Sequence, residues 1–171
     1  MKHEIERKFL VIDDGWKAAV TGTVHLRDGL VATLGAGKVR VRIATAEGGP
    51  PRAWVTLKGP RRGITRREFE YDIPVAEAEA MLAEFCNGLA VEKRRHLVPH
   101  AGRVWEVDVY SGLLAGVVHA EIELADATET FALPPWLGPE VTGQPQHSKR
   151  AMITASVAAQ RDAAQRGANA T

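Results

Sequence analysis

Glu4-Ile5-Glu6-Arg7-Lys8-Phe9 repeats with a period of two. In an extended chain that period sets Glu4, Glu6 and Lys8 on one face and Ile5 and Phe9 on the other. The pattern recurs along the sequence. Val39-Arg40-Val41-Arg42-Ile43 alternates strictly, with both arginines on one side. Trp54-Val55-Thr56-Leu57-Lys58 separates Lys58 from Val55 and Leu57. Arg67-Glu68-Phe69-Glu70-Tyr71-Asp72 separates three acids from Phe69 and Tyr71. Trp105–Val109 pairs Glu106 with Asp108, and Ala120–Leu124 pairs Glu121 with Glu123. Val91–Val98 is mixed: Lys93 and Arg95 fall together, with Glu92, Arg94 and His96 opposite them. Seven or eight short strands at this spacing predict an antiparallel sheet, closed or strongly curved.

Turn signals separate the runs at Gly35-Ala36-Gly37, Gly48-Gly49-Pro50-Pro51, Gly59-Pro60 and His100-Ala101-Gly102. Helical periodicity is confined to Val75–Cys86, where Met81, Leu82 and Phe85 form a stripe, and Ser148–Gln165, where Met152, Ile153 and Val157 do so. A short helix is expected near Asp13–Val20. The class is therefore α+β, with residues 1–166 forming a single domain and 167–171 a disordered tail.

The 171 residues suffice for one domain with a sizeable core. Formal net charge is +1, from 22 basic and 21 acidic residues, so bulk nucleic-acid binding is not indicated. One cysteine, Cys86, excludes an internal disulfide and a CxxC zinc site and suits a reducing cytoplasm. Its place late in an amphipathic helix reads as packing. The charged N-terminal stretch lacks the apolar segment of a signal peptide, and no run approaches a membrane span. A soluble, cytoplasmic protein is expected, without nucleic-acid or membrane partners. The six histidines show no HxxxH or HExxH spacing. Gly35-Ala36-Gly37-Lys38 lacks the spacing of a phosphate loop and reads as a turn.

The decisive feature is segregation by sign. A single strand that alternates charged and apolar residues is ordinarily a half-exposed edge. Here Glu4/Glu6, Glu68/Glu70, Glu106/Asp108 and Glu121/Glu123 are acidic pairs, while Arg40/Arg42 and Lys93/Arg95 are basic ones. Like charges gathered on one face repel. They are tolerated only beside neighbours of opposite sign or a neutralising ligand. Carboxylates without His or Cys suit hard cations such as Mg2+ or Mn2+, and Arg/Lys clusters suit phosphate oxygens. A metal-bound polyphosphate satisfies both.

With these residues in view, Glu4-Ile5-Glu6-Arg7-Lys8 resembles the ExExK signature of the CYTH superfamily, the triphosphate tunnel metalloenzymes. The resemblance runs in order through Val39–Ile43, Thr56–Gly59, Arg67–Tyr71, Lys93 with Arg95, Trp105–Val109, Ala120–Leu124 and Trp136–Thr142, covering roughly residues 3–155. It implies an eight-stranded antiparallel barrel forming a charged tunnel, with helices packed outside and a C-terminal helix. It implies metal ligation by Glu4, Glu6, Glu121 and Glu123, with Glu70 and Asp108 as helpers. Phosphate falls to Lys8, Arg40, Arg42, Lys58, Lys93 and Arg95. In related tunnels the C-terminal helix plugs one end and offers a lysine, which makes Lys149 a candidate beside Lys8, Arg40 and Lys58 for the catalytic set. A solvated first-turn lysine is the competing reading.

The implied activity is divalent-metal-dependent hydrolysis of a triphosphate, with inorganic triphosphate split to pyrophosphate and phosphate as first choice. The alternatives are a CYTH-type adenylate cyclase, a thiamine or nucleoside triphosphatase, and a non-catalytic polyphosphate- or nucleotide-binding module. One departure bears on these choices. Many short members carry Gln-Gly-Tyr-Leu before the VRVR strand, and its tyrosine has been proposed as a proton acceptor. Here the corresponding stretch is Asp28-Gly29-Leu30-Val31, and Leu30 cannot take a proton. Lys2, Arg61, Arg62 and Arg66 read as a basic rim. Partly uncovered apolar outer faces suggest a homodimer.

Overall fold

The computed structural model describes residues 2–86 and 88–168. Nine strands are present: β1 (Lys2–Val11), β2 (Gly22–Leu34), β3 (Gly37–Ala46), β4 (Pro51–Lys58), β5 (Thr65–Ile73), β6 (Val91–His100), β7 (Arg103–Ser111), β8 (Val118–Glu123) and β9 (Leu137–Glu140). Two α-helices accompany them, α1 (Val75–Phe85) and α2 (Lys149–Ala168). The short helix expected near Asp13–Val20 is a single 3-10 turn, Lys17–Ala19. Of the tail expected to be disordered, residues 169–171 lie outside the described residues, while α2 runs through Ala168.

All pairings are antiparallel, and the order β5-β4-β3-β2-β6-β7-β8-β1 closes when β1 pairs with β5. Closure removes the sheet edges that would otherwise recruit other chains. One side of β1 pairs with β8. Its other side is shared: Lys2–Ile5 meets β5, and Phe9 and Val11 meet the short β9. Pro139 lies in β9, an edge strand, where a missing N–H is tolerated. Arg7 clamps β9 by donating to Glu140, whose other contact is the Thr142 hydroxyl.

The period-two pattern sorts the side chains between the two faces. The apolar sets point outward and are covered from outside. Phe9, Val98, Trp105, Val107, Ala120 and Ile122 form one cluster beneath Trp16 and Trp136, which arrive from connecting segments. Val41, Ile43 and Ala53 form a second, covered by Ala78 and Leu82 of α1 and by Cys86. A third cluster differs, because Val91 and Tyr110 lie on the inward face, opposite Asp28 and Lys93, and with Leu114 they meet Met152 and Ile153 of α2. Helix α1 approaches the barrel over Gly29: a Cβ there would sit 2.3 Å from Cys86 Sγ and 2.6 Å from Leu82 Cδ2. The outer face of β4 and β5 is less covered, and Leu57, Phe69 and Tyr71 remain exposed. No helix among the described residues is long and apolar enough to cross a membrane.

Candidate functional site

Residues directly opposite in an antiparallel pair share a face. The register therefore identifies what lines the interior. Lys8 lies opposite Glu121, Glu6 opposite Glu123, and Glu106 opposite Glu121. Arg95 lies opposite Asp108, Asp28 opposite Arg42, and Lys58 between Lys38 and Glu68. Charged side chains from all eight barrel strands thus converge inward, as the segregated pattern predicts.

Inside, acids and bases neutralise one another. Toward the start of β1, Lys58 Nζ donates to Glu4 at 2.6 Å and to Glu68 at 2.7 Å. Arg66 donates to the other Glu4 oxygen and lies 3.5 Å from Glu6, which also accepts from Arg61 at 2.5 Å. Burial alone would raise the Glu4 carboxyl, but Arg66 and Lys58 outweigh it and hold the group far below the usual carboxylate range. Arg66 is therefore no rim residue: it is largely buried and bonded to the ExExK carboxylates. Its even-numbered parity with Glu68 and Glu70 was the available signal.

Midway, Lys8 lies 2.9 Å from Glu121. Arg95 reaches Asp108 through two nitrogens, each at 2.8 Å, Glu121 at 2.9 Å, and also Glu106. Lys93 bonds Asp108, and both are sealed, at 1% and 0% exposure. Burial lowers the Lys93 ammonium despite Asp108, while Lys93 and Arg95 overcome burial to keep Asp108 ionised. Farther along, Asp28 accepts from Arg42, one bond measuring 2.8 Å, and from Lys149 at the start of α2. Lys149 thus reaches into the barrel, and the solvated alternative does not hold. Asp28 links β2 to α2 and had not been singled out as a site residue.

The remaining candidates are more loosely held. Arg40 donates to Thr56 at 3.0 Å and lies 3.9 Å from both Glu68 and Glu70. Glu70 is half exposed and accepts from Thr56. Leu30 lies opposite Arg40, partly exposed, on the same face as Asp28. At the far end, Leu10, Val118 and His119 with Gln146, His147 and Met152 line a cavity of about 430 Å3, under the start of α2. His119 Nδ1 is buried without a hydrogen-bond partner, as is the hydroxyl of Tyr110, whose ring lies 6.1 Å from that of His119. Burial and the Lys8 charge lower His119 to about 4 and keep it neutral.

Among the described residues no three His, Cys, Asp or Glu side chains stand ready to enclose a metal. The donor set nevertheless fits a hard divalent cation, because Mg2+-type ions take one or two carboxylates and complete their shell with water and substrate phosphate. Glu6 and Glu123, placed directly opposite each other, supply such a pair, and Glu4 and Glu121 flank it.

The CYTH domain family matches residues 2–152. The chain is 40% identical over 147 residues to an inorganic triphosphatase of Acetivibrio thermocellus, covering 86% of this chain and 90% of that one. It is 36% identical over 156 residues to an inorganic triphosphatase of Nitrosomonas europaea, covering 87% and 95%. A crystal structure of an inorganic triphosphatase superposes with a TM-score of 0.59 at 33% identity, covering 90% of this chain and 95% of that one. With the barrel closed, its charges turned inward and the ExExK glutamates among them, the chain belongs to the CYTH domain family.

Proposed function

We propose that the barrel hydrolyses inorganic triphosphate to pyrophosphate and phosphate, with Mg2+ or Mn2+ as the divalent cation that the family implies. The observation that carries this reading is the near-complete internal neutralisation of a charged interior. A metal–triphosphate complex brings both signs at once. It can exchange partners with the existing pairs, carboxylate to metal and ammonium or guanidinium to phosphate, without leaving net charge buried. A bare anion or a bare cation cannot, and an uncompensated buried charge costs several kcal/mol, of the order of 3–5.

In this reading Glu4, Glu6, Glu121 and Glu123 hold the metal, with Glu70 and Asp108 in support. When bound, the metal polarises phosphate oxygens and acidifies the attacking water. Lys8, Arg40 and Lys58 bind the phosphates that change charge during the reaction, and Lys149 adds a cation from the plugged end. Arg42, Lys93 and Arg95 stabilise charge on the nonbridging oxygens and on departing pyrophosphate. The ion pairs of the free protein aim these side chains before substrate arrives, so little reorganisation is left for the reaction itself, and they oppose the burial that disfavours the charged forms of Lys93 and Lys149. The 36–40% identity to named inorganic triphosphatases supports the substrate.

The test is phosphate release from inorganic triphosphate, ATP and thiamine triphosphate under Mg2+ or Mn2+, with cyclic AMP assayed in parallel. Turnover of inorganic triphosphate that stops with chelator, and is lost in Glu4→Gln at preserved fold, is expected. Cyclic AMP formation, or binding of every substrate without turnover, would replace the reading with a cyclase or a binding module.

A further inference from the structure

Inward-facing arginines and lysines are matched to carboxylates throughout the described interior, with Lys38 as the exception. Lys38 stands directly across from Lys58, on the face of β3 that carries Arg40 and Arg42. It has no ion pair or hydrogen bond to another side chain among the described residues. Its strongest charged neighbours are Arg66, Lys58 and Arg40, and the acid that acts on it most, Glu4, is already held by Lys58 and Arg66. Burial and the three positive neighbours lower its ammonium to about 8.

Compensation weakens steadily along β3. Arg42 has a two-pronged bond to Asp28. Arg40 has acids only at 3.9 Å, and its Nε is buried without a partner. Lys38 has none. Alternate residues of a strand are about 7 Å apart, so Lys38 and Arg40 are near neighbours. Positive charge therefore accumulates at the end of the barrel opposite α2.

We propose that Lys38 and the free Nε of Arg40 form a subsite for the terminal phosphate of a linear inorganic polyphosphate, and that it selects inorganic triphosphate over nucleoside triphosphates. The proposal rests on the triphosphatase reading above. A terminal phosphate carries up to two negative charges, whereas one esterified to a nucleoside carries one. At the far end α2 inserts Lys149 onto Asp28 and packs Met152 and Ile153 against Val91 and Tyr110, which leaves the Lys38 end as the side from which a nucleoside would project. Its singly charged α-phosphate then meets the least compensated cations. Inorganic triphosphate presents a doubly charged end whichever way it enters.

The test compares kcat/KM for inorganic triphosphate and ATP, with Mg2+, in the unmodified chain, Lys38→Met and Arg67→Met. Arg67 carries the same charge on the outer face of β5 and serves as control. Lys38→Met should lower kcat/KM for inorganic triphosphate about tenfold, through KM, and for ATP less than about threefold, the loss expected of one charge-assisted hydrogen bond. Its Tm should not fall, because an uncompensated cation has been removed. Arg67→Met should leave both substrates within about twofold. Equal losses on the two substrates, or no loss on either, would overturn the proposal. If the unmodified chain turns over neither substrate, the triphosphatase reading fails. Calorimetric binding of inorganic triphosphate together with Mg2+ still decides the subsite: about tenfold weaker binding by Lys38→Met supports it, and equal affinity sinks it.

Discussion

Replacing Asp28 by asparagine isolates the price of internal neutralisation at a position outside the proposed metal ligands. Asp28 is 4% exposed and accepts from Arg42 and Lys149. Arg40 lies close enough to help hold its carboxyl well below the ordinary range, against the opposing effect of burial. Asparagine keeps the shape but removes the charge. Arg42, itself almost fully buried, then lacks its counter-ion and faces the positive Arg95 and Arg40. Breaking one side of a buried pair costs about 3–5 kcal/mol. At about 2–4 °C per kcal/mol for a domain of this size, Tm falls by about 6–20 °C.

The sign with pH is fixed. Because the folded pKa of Asp28 is depressed, its stabilising contribution is complete above the unfolded value of about 3.9 and is lost as pH falls through the folded pKa. The gap between the unmodified chain and Asp28→Asn is therefore widest near neutrality and closes in acid. Metal-free inorganic triphosphate should restore more Tm to the variant than to the unmodified chain, since Arg42 and Lys149 then need an anion. Thermal unfolding from pH 7 to pH 3, with and without triphosphate, measures all of this. A Tm within about 2 °C of the unmodified chain at pH 7, or equal rescue by triphosphate, would refute the reasoning.

Gly29→Ala should destabilise by about 1–3 kcal/mol, because the new methyl overlaps Cys86 and Leu82 and pushes α1 off the barrel; urea unfolding reads it. Lys149→Met removes only one of the two cations on Asp28, so Tm should drop by about 2–4 °C, while kcat/KM for inorganic triphosphate falls about tenfold. Arg7→Met unclamps β9 from β1; limited proteolysis should then cut between 124 and 141 faster than in the unmodified chain, with less than about twofold change in kcat.

The strands legible in the sequence were those whose inward face carries charges in alternation, as in Val39–Ile43 and Arg67–Asp72. Their outward apolar sets also foretold the cover supplied by α1. Strand β2 was not legible as a strand. Its inward face carries Val24 and Leu26 with a lone Asp28, and its outward face carries His25, Arg27 and Gly29, so the usual contrast is inverted. Gly29 reads locally as a breaker, and only the approach of α1 explains it. The Asp28–Lys149 contact joins residues 121 apart, which no local periodicity encodes. Arg66 stands beside Arg67 at the start of β5, and only its parity with Glu68 marks it as inward. Lys38 was read as part of a turn, and its significance lies in the missing partner, which is a property of three-dimensional charge balance.

Co-crystallisation with inorganic triphosphate and Mn2+ tests the exchange of partners most directly. Triphosphate is expected inside the barrel against Lys8, Arg40 and Lys58, with Mn2+ between its oxygens and the ExExK carboxylates, and the Lys58–Glu4 and Lys8–Glu121 bonds broken. Triphosphate seated on the outer surface, with those two ion pairs intact, would contradict the account.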